Sequence, residues 1–421
     1  LMFSSVTLLC TPGVHKRVTE ENMRKLNKTA ACGILAAALA AGTLSGCSKA
    51  IDGTKTVATV GDEKVTLGLA SYMVRDQQAQ TMSYYNMLMS QYGVSGSASN
   101  VWDQKGDDGK TVGESSKDGV MTTINQLYVL KAHAADYDVT ITDDEEKAIK
   151  EAAAEFIKDN DEKILKKLAV SEDDIVTYLE LVTIRSKMHD PMTADVDTEV
   201  SANEKDQTRV TIVKVSTEGT EKDDDGNTID LTDEEKAQKK DLAQQVLDKV
   251  KASDDVANAD MDALAKEVDD SLSATAPAFT TAGSTDDTLD EAVQDAALEL
   301  KDGEVADSVI EGDDGYYVVR LDKMLDEDAT ENKEKTVISE RKSDLFDSTL
   351  EDWVKEEKIK VKDKVWDQIT VTDSVSFVYK SADSSDDTKS SDVQDSTEDT
   401  SSQDNSEDTT TEDTAAEDSA E

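Results

Sequence analysis

Thiols, imidazoles, prolines and aromatic rings are all scarce in this chain of 421 residues. Cysteine occurs only at positions 10, 32 and 47, so everything from residue 48 onward is thiol-free. Disulfides and thiolate metal sites are thereby excluded from that part, and its stability must come from packing. Beyond the first fifty residues the histidines are His133 and His189 alone, which argues against a zinc site or a His-based triad. Three prolines and 4% aromatic residues favour a helix-rich chain and speak against a sugar site built on stacked rings. Positive charge is the other shortage: 45 Lys and Arg face 93 Asp and Glu, a formal charge of −48. Such a chain lacks the basic surface that nucleic acid requires, and anionic lipid repels it. Acidic side chains are so frequent that no pair of them marks an acid–base site.

What is present starts near the N-terminus. Arg24, Lys25 and Lys28 precede the small or apolar run Ala30–Leu44, which ends in Leu44-Ser45-Gly46-Cys47. A basic start, an apolar stretch too short to span a bilayer and a small-residue processing site make the layout of a secretory signal peptide. The L-S-G-C ending resembles the lipobox of bacterial lipoproteins, which implies that Cys47 becomes the lipidated first residue of the mature protein. Met23 opens this leader. Residues 1–22 therefore read as a mis-assigned upstream extension, 23–46 as the signal peptide and 47–55 as a linker. At the far end, Ser381–Glu421 holds fifteen Asp/Glu against one Lys, with no aromatic residue. Such a composition cannot bury enough surface to fold, so 376–421 reads as an acidic disordered tail.

Between these ends the hydrophobic period changes twice. Thr56–Val60 and Lys64–Leu67 alternate around Gly61-Asp62-Glu63, which predicts a β-hairpin. Leu69–Tyr92 takes helical spacing, with Met82, Tyr85, Met89 and Tyr92 on one stripe. That stripe, with Met73, reads as core packing or as a soft surface suited to varied chains. Gly93–Gly119 reads as a loop, and Val120–Tyr137 as a helix. Thr142 with Glu145, and Ser171 with Asp174, are capping-box pairs opening helices 145–159 and 175–189. From Thr208 the pattern becomes strand (209–215), acidic turn (223–232), helices (232–251, 261–268, 288–300) and strand (316–321). A helix over 332–358 and short strand segments over 359–371, carrying Trp366, complete it.

Two motifs fall short of the sites they imitate. Asp223, Asp225 and Gly226 begin like an EF-hand loop, but Thr232 stands where the bidentate glutamate belongs. Gly106–Thr111 ends like a phosphate-binding loop, yet Gln104 occupies the first glycine position. An ordinary hairpin and a flexible loop are the expected alternatives. His133 reads as a helix-surface or partly buried residue, and His189 as a cation favouring a helix C-terminus.

The order of segments resembles the parvulin-type extracytoplasmic foldase lipoproteins, the PrsA/SurA-like family, over nearly all of residues 56–370. Thr56–Gly61 is similar to the family's VATVNG opening, and Val139–Glu145 to its ITVSDEE segment. Thr208–Lys214 lines up with the parvulin strand ARHILVK, Asp262–Asp270 with ELAKEYSDD, Leu300–Val305 with LKPGEVS and Gly315–Leu321 with GYHIIKL. The resemblance implies an α+β protein. A helical PrsA/SurA-like chaperone domain forms from the N-terminal segment (56–205) and the returning C-terminal segment (328–375). A degenerate parvulin-like domain (206–327) is inserted between them.

Parvulins place two histidines side by side in the proline pocket, and this chain carries Val210 and Tyr317 there. The usual Cys or Asp falls at or near Ser271, and the proline-cradling Met and Phe appear as Leu289 and Val293. Isomerisation needs an X-Pro amide twisted across a barrier of about 18–20 kcal/mol in a desolvated pocket. With the polar partners replaced, no residue is assigned as catalytic. The expected role is a chaperone that binds newly exported unfolded polypeptides at the outer face of a Gram-positive-type cell membrane, held through lipid on Cys47. No cofactor, metal or nucleic acid is expected. An active peptidyl-prolyl isomerase is the alternative. A substrate-binding lipoprotein of a transporter is a further one, though its two α/β lobes fit poorly with helices that come in runs.

Overall fold

The computed structural model describes residues 39–41, 51–91, 101–219, 228–282, 289–372 and 377–379. The upstream extension, most of the signal peptide, Cys47, the Asp223–Gly226 turn and the rest of the acidic tail lie outside them; Phe377–Tyr379, expected within the disordered tail, is instead a strand, because it finds a backbone partner in Leu39–Ala41.

A first hydrophobic core joins the chain's two ends. Strands β1 (Thr56–Val60) and β2 (Glu63–Thr66) form the expected hairpin, turning at Gly61, whose φ is +55°. Helices α1 (Leu67–Gln91), α2 (Val112–His133), α3 (Asp143–Asp159), α4 (Glu162–Leu168) and α5 (Glu172–Met192) follow. Asp174 gathers three of these elements. Its carboxylate accepts from the backbone N–H of Ser171 at 2.9 Å, closing the capping box of α5, and from the hydroxyl of Thr66 between β2 and α1. Gly68 makes that approach possible, because a Cβ there would sit 2.3 Å from Asp174 Oδ2.

The loop expected over Gly93–Gly119 is shorter than its composition suggests. Thr111 and Glu114 make a reciprocal capping box, and α2 starts eight residues ahead of Val120. The turn that imitates a phosphate loop is hydrogen-bonded rather than loose: Gly106 N donates to Lys110 O at 2.9 Å and Gly109 N to Gly106 O at 3.0 Å. Helix α5 runs past its expected end at residue 189, with Pro191 inside its last turn.

The second lobe is an antiparallel sheet built on β3 (Gln207–Ser216). Helices α6 (Asp233–Lys251) and α7 (Met261–Lys266) follow it. Next come β4 (Ala274–Thr275), β5 (Ala278–Thr280), α8 (Glu291–Leu298), β6 (Ile310–Glu311) and β7 (Gly315–Lys323). The strand order is β4-β3-β7-β6, with β5 also on β3. Residues 274–275 and 278–280 thus supply two short strand segments on β3. Alternation along β3 and β7 divides the apolar side chains between the two faces. Val213, Val215, Tyr316 and Val318 pack with α6 and α7, whereas Val210, Ile212, Tyr317, Val319 and Leu321 pack with Phe279 and α8.

Helix α9 (Glu327–Glu356) then brings Phe346 and Leu350 back to the first core, where β8 (Ile359–Val361) pairs with β1. Trp366 lies in a helical turn, Asp363–Trp366, and not in a strand. The result is the expected α+β arrangement: one helical lobe assembled from both ends of the chain, with the sheet lobe between them.

Asp326 fixes the junction. It is 4% exposed, caps α9 through Ala329 N at 3.0 Å and is ion-paired with Arg209 of β3. Asp326→Ala removes a helix cap and leaves the guanidinium without its partner. It is expected to cost about 2–3 kcal/mol by urea unfolding. Asp326→Asn, which keeps a capping oxygen, should lose less.

Candidate functional site

Four of the five positions singled out in the sequence share one cluster. Val210 and Val293 are fully buried, Leu289 is 8% exposed and Tyr317 is 5% exposed; all pack with Phe279 on the α8 face of the sheet. Phe279 completes the cluster, and its strand-like flanks, Ala278 and Thr280, were the available signal.

Ser271 does not join them. It is exposed in the turn after α7, where its hydroxyl donates to Asp269 at 2.6 Å, and its neighbour Leu272 packs on the opposite, α6 side of the sheet.

The two positions that the resemblance aligns with the parvulin histidines are not opposite each other. Val210 pairs with Leu321, while Tyr317 pairs with Lys214. Both face α8, but four residues of β7 separate them, roughly 13 Å at the rise of a strand. No side-by-side polar pair forms at the centre of this face.

The polar chemistry has moved to one end of the strands. The Tyr317 hydroxyl donates to Asp314, which also holds the Lys214 ammonium, and that ammonium lies 5.9 Å from the Tyr317 ring. Burial and the Asp314 carboxylate push the Tyr317 phenol well above its ordinary range, so it stays a proton donor. Gly312 is held tightly here: a Cβ would fall 2.4 Å from Asp290 Oδ2 and 2.9 Å from Tyr317 Cε2. Asp290 in turn caps α8 through Ala292 N and accepts from Asp313 N at 2.6 Å. Tyr317, Lys214, Asp314 and Asp290 are thus each paired within one network that ties β7 to β3 and to the start of α8.

The two histidines are also structural. The His133 ring stacks on Trp353 with centroids 4.1 Å apart, and His189 packs at 5.5 Å from Phe346, both on α9. Among the described residues, no group of three His, Cys, Asp or Glu side chains is placed to hold a metal ion.

Lys214 first, then the Tyr317 hydroxyl, hold Asp314 below the usual carboxylate range. The Ala329 N–H and then Arg209 do the same for Asp326. Stability from a depressed carboxylate is complete above its unfolded pKa, near 3.8, and is lost as pH falls through the lower folded value. The large acidic excess acts in the other direction, because protonation relieves its self-repulsion. The urea midpoint should therefore rise from pH 7 to about 5 and fall below about pH 4, and added salt should raise it at neutral pH. A midpoint that fell steadily from pH 7 downward would contradict this balance.

Residues 222–335 match the PPIC-type PPIASE domain. The match begins after β3, so Val210 lies outside it, whereas Ser271, Leu289, Val293 and Tyr317 lie within. Among solved structures, the chain is similar to the foldase protein PrsA of Lactococcus lactis at 15% identity, over 74% of this chain and 96% of that one, with a TM-score of 0.30. It is also similar to a peptidylprolyl isomerase (PrsA) of Bacillus cereus at 20% identity, over 66% and 97%, with a TM-score of 0.28. A SurA-like chaperone of Campylobacter jejuni matches at 14% identity, over 73% and 100%, with a TM-score of 0.18. No curated protein sequence matches significantly. Over residues 222–335, then, what the chain is similar to is the PPIC-type peptidyl-prolyl isomerase domain.

Proposed function

We propose that this protein is a lipid-anchored chaperone at the outer face of the cell membrane, which binds newly exported unfolded polypeptides. Its parvulin-like domain (206–327) serves as a scaffold, and residues 56–205 with 328–375 form the chaperone domain. The observation that carries this reading is the state of the cradle. A domain of the isomerase family has Val210, Leu289, Val293 and Tyr317 packed into an apolar core, without the polar pair that would favour a twisted amide. Processing before Cys47 supplies the anchor, since the acidic chain has no electrostatic attraction to anionic lipid. Among the described residues, no helix is long and apolar enough to cross a membrane.

The direct test is aggregation of an unfolded secreted protein in the presence of residues 48–421. Suppression at roughly equimolar chaperone is the expected result for weak, sequence-tolerant binding. Unchanged aggregation with a folded preparation would sink the proposal.

A further inference from the structure

One strand pair belongs to neither sheet described above. Leu39–Ala41 lies antiparallel on Phe377–Tyr379, with Leu39 opposite Tyr379, Ala40 opposite Val378 and Ala41 opposite Phe377. Among the described residues these two strands pair only with each other, and Phe377–Tyr379 rests against α1.

The C-terminal half of this helix is unusual for this chain. No Asp, Glu, Lys or Arg occurs from Gln77 to Trp102, although a third of all residues are charged. Met73 and Met82 are buried in the first core, but beyond them the helix carries its apolar side chains outward. Tyr84 is 52% exposed and Met87 61%, with Tyr85, Leu88 and Met89 half-buried. An exposed apolar patch with no charge to compete for water is a binding surface in waiting.

Leu39–Ala41 sits inside the apolar run Ala30–Leu44, which processing before Cys47 would remove. Its departure would leave the backbone N–H and C=O groups along one edge of Phe377–Tyr379 without their strand partner. We infer that this edge takes up an extended, uncharged, apolar polypeptide as an added strand, laid along the charge-free end of α1. In the unprocessed chain, the leader occupies the same place. The inference rests on the client-binding reading above and gives it a location and a substrate class.

The leader itself argues for that occupant, because it shows small apolar backbone accepted here in extended form. Main-chain hydrogen bonds would give affinity without sequence preference, and the Met-rich helix would adapt to varied side chains. A charged residue in the added strand would be desolvated against apolar surface without a partner, so the site discriminates by charge.

The test titrates a labelled peptide of residues 35–44 by fluorescence anisotropy against residues 48–421 and against the full chain. A second peptide carries Asp in place of Ala37 and Ala40. The processed form should bind the first peptide about tenfold or more tighter than the full chain does, and the Asp-bearing peptide about tenfold weaker. Val378→Pro, which deletes a strand N–H, and Met87→Asp, at a solvent-facing position that folding tolerates, should each weaken binding by about tenfold. Equal affinity for the two chain forms overturns the inference, as does binding insensitive to both substitutions. A processed chain that dimerises through this edge and resists the peptide overturns it as well. Aggregation suppression is measured on the same samples. If suppression persists while the peptide results fail, the site is wrong and the chaperone reading stands; if the unaltered chain suppresses nothing, the reading itself fails.

Discussion

Trp102→Ala is expected to lower the stability of the helical lobe by about 3–5 kcal/mol, the cost of emptying a large buried aromatic site. Trp102 is 1% exposed and packs in the first core, although it lies in a stretch whose Gly, Ser and Asp content reads as loop. Its carbonyl accepts from Gly113 N at 2.9 Å, and a Cβ on Gly113 would sit 2.3 Å from Val371 O. The Trp102 backbone therefore meets the start of α2, close to the returning C-terminal segment, while its indole lies in the core. Urea unfolding followed by circular dichroism reads the loss directly, and Trp102→Phe should recover part of it. A cost below about 1 kcal/mol would mean that the indole is not part of a cooperative core.

The second large effect is catalytic. On a proline tetrapeptide, kcat/KM is expected to fall on the order of 10² or more below that of a parvulin with both histidines, because preorganised polar partners are worth that much. Two features lead to this expectation. Val210 and Leu289 leave no polar atom at the cradle, and the Tyr317 hydroxyl is committed to Asp314. A protease-free isomerisation assay run beside the aggregation assay separates the two activities. Turnover close to that of an ordinary parvulin, and lost in Leu289→Ala, would instead establish an active isomerase.

Local chemistry made much of this protein legible. Capping pairs Thr142–Glu145 and Ser171–Asp174 announced two helices, and both boxes are present. The short β-branched and apolar runs at 209–215 and 316–321 are likewise read as strands, and they form β3 and β7, the two long strands of the second sheet. The same kind of signal stands at Thr111–Glu114, a reciprocal cap inside a stretch whose Gly and Ser content reads as loop. Another stands at Asp326, whose cap starts α9 five residues before Asn332. Short strands such as Ala274–Thr275 carry too few residues to show a period, and they exist because β3 offers an edge to pair with.

The candidate site was half legible. Parity along β3 and β7 puts Val210 and Tyr317 on the face they occupy, and helical spacing puts Leu289 and Val293 on one side of the α8 region. Register is a different quantity. It is set by how whole strands pair, and it separates Val210 from Tyr317 along the ladder. Ser271 shows the same limit, since the side of the sheet reached by the turn after α7 depends on where α7 docks.

The sequence by itself determined the periodicities, most of the helix starts, the shortage of polar catalytic groups and the charge-free run from Gln77 to Trp102. These are properties of neighbouring residues, so local sterics and hydrogen bonding settle them. Only the tertiary structure decided that Val210, Leu289, Val293 and Tyr317 share one packed cluster, that Trp102 is core, and that both histidines rest on aromatic residues of α9. Each of these depends on segments far apart in the chain meeting in one register, and that choice belongs to long-range packing, which no local pattern encodes.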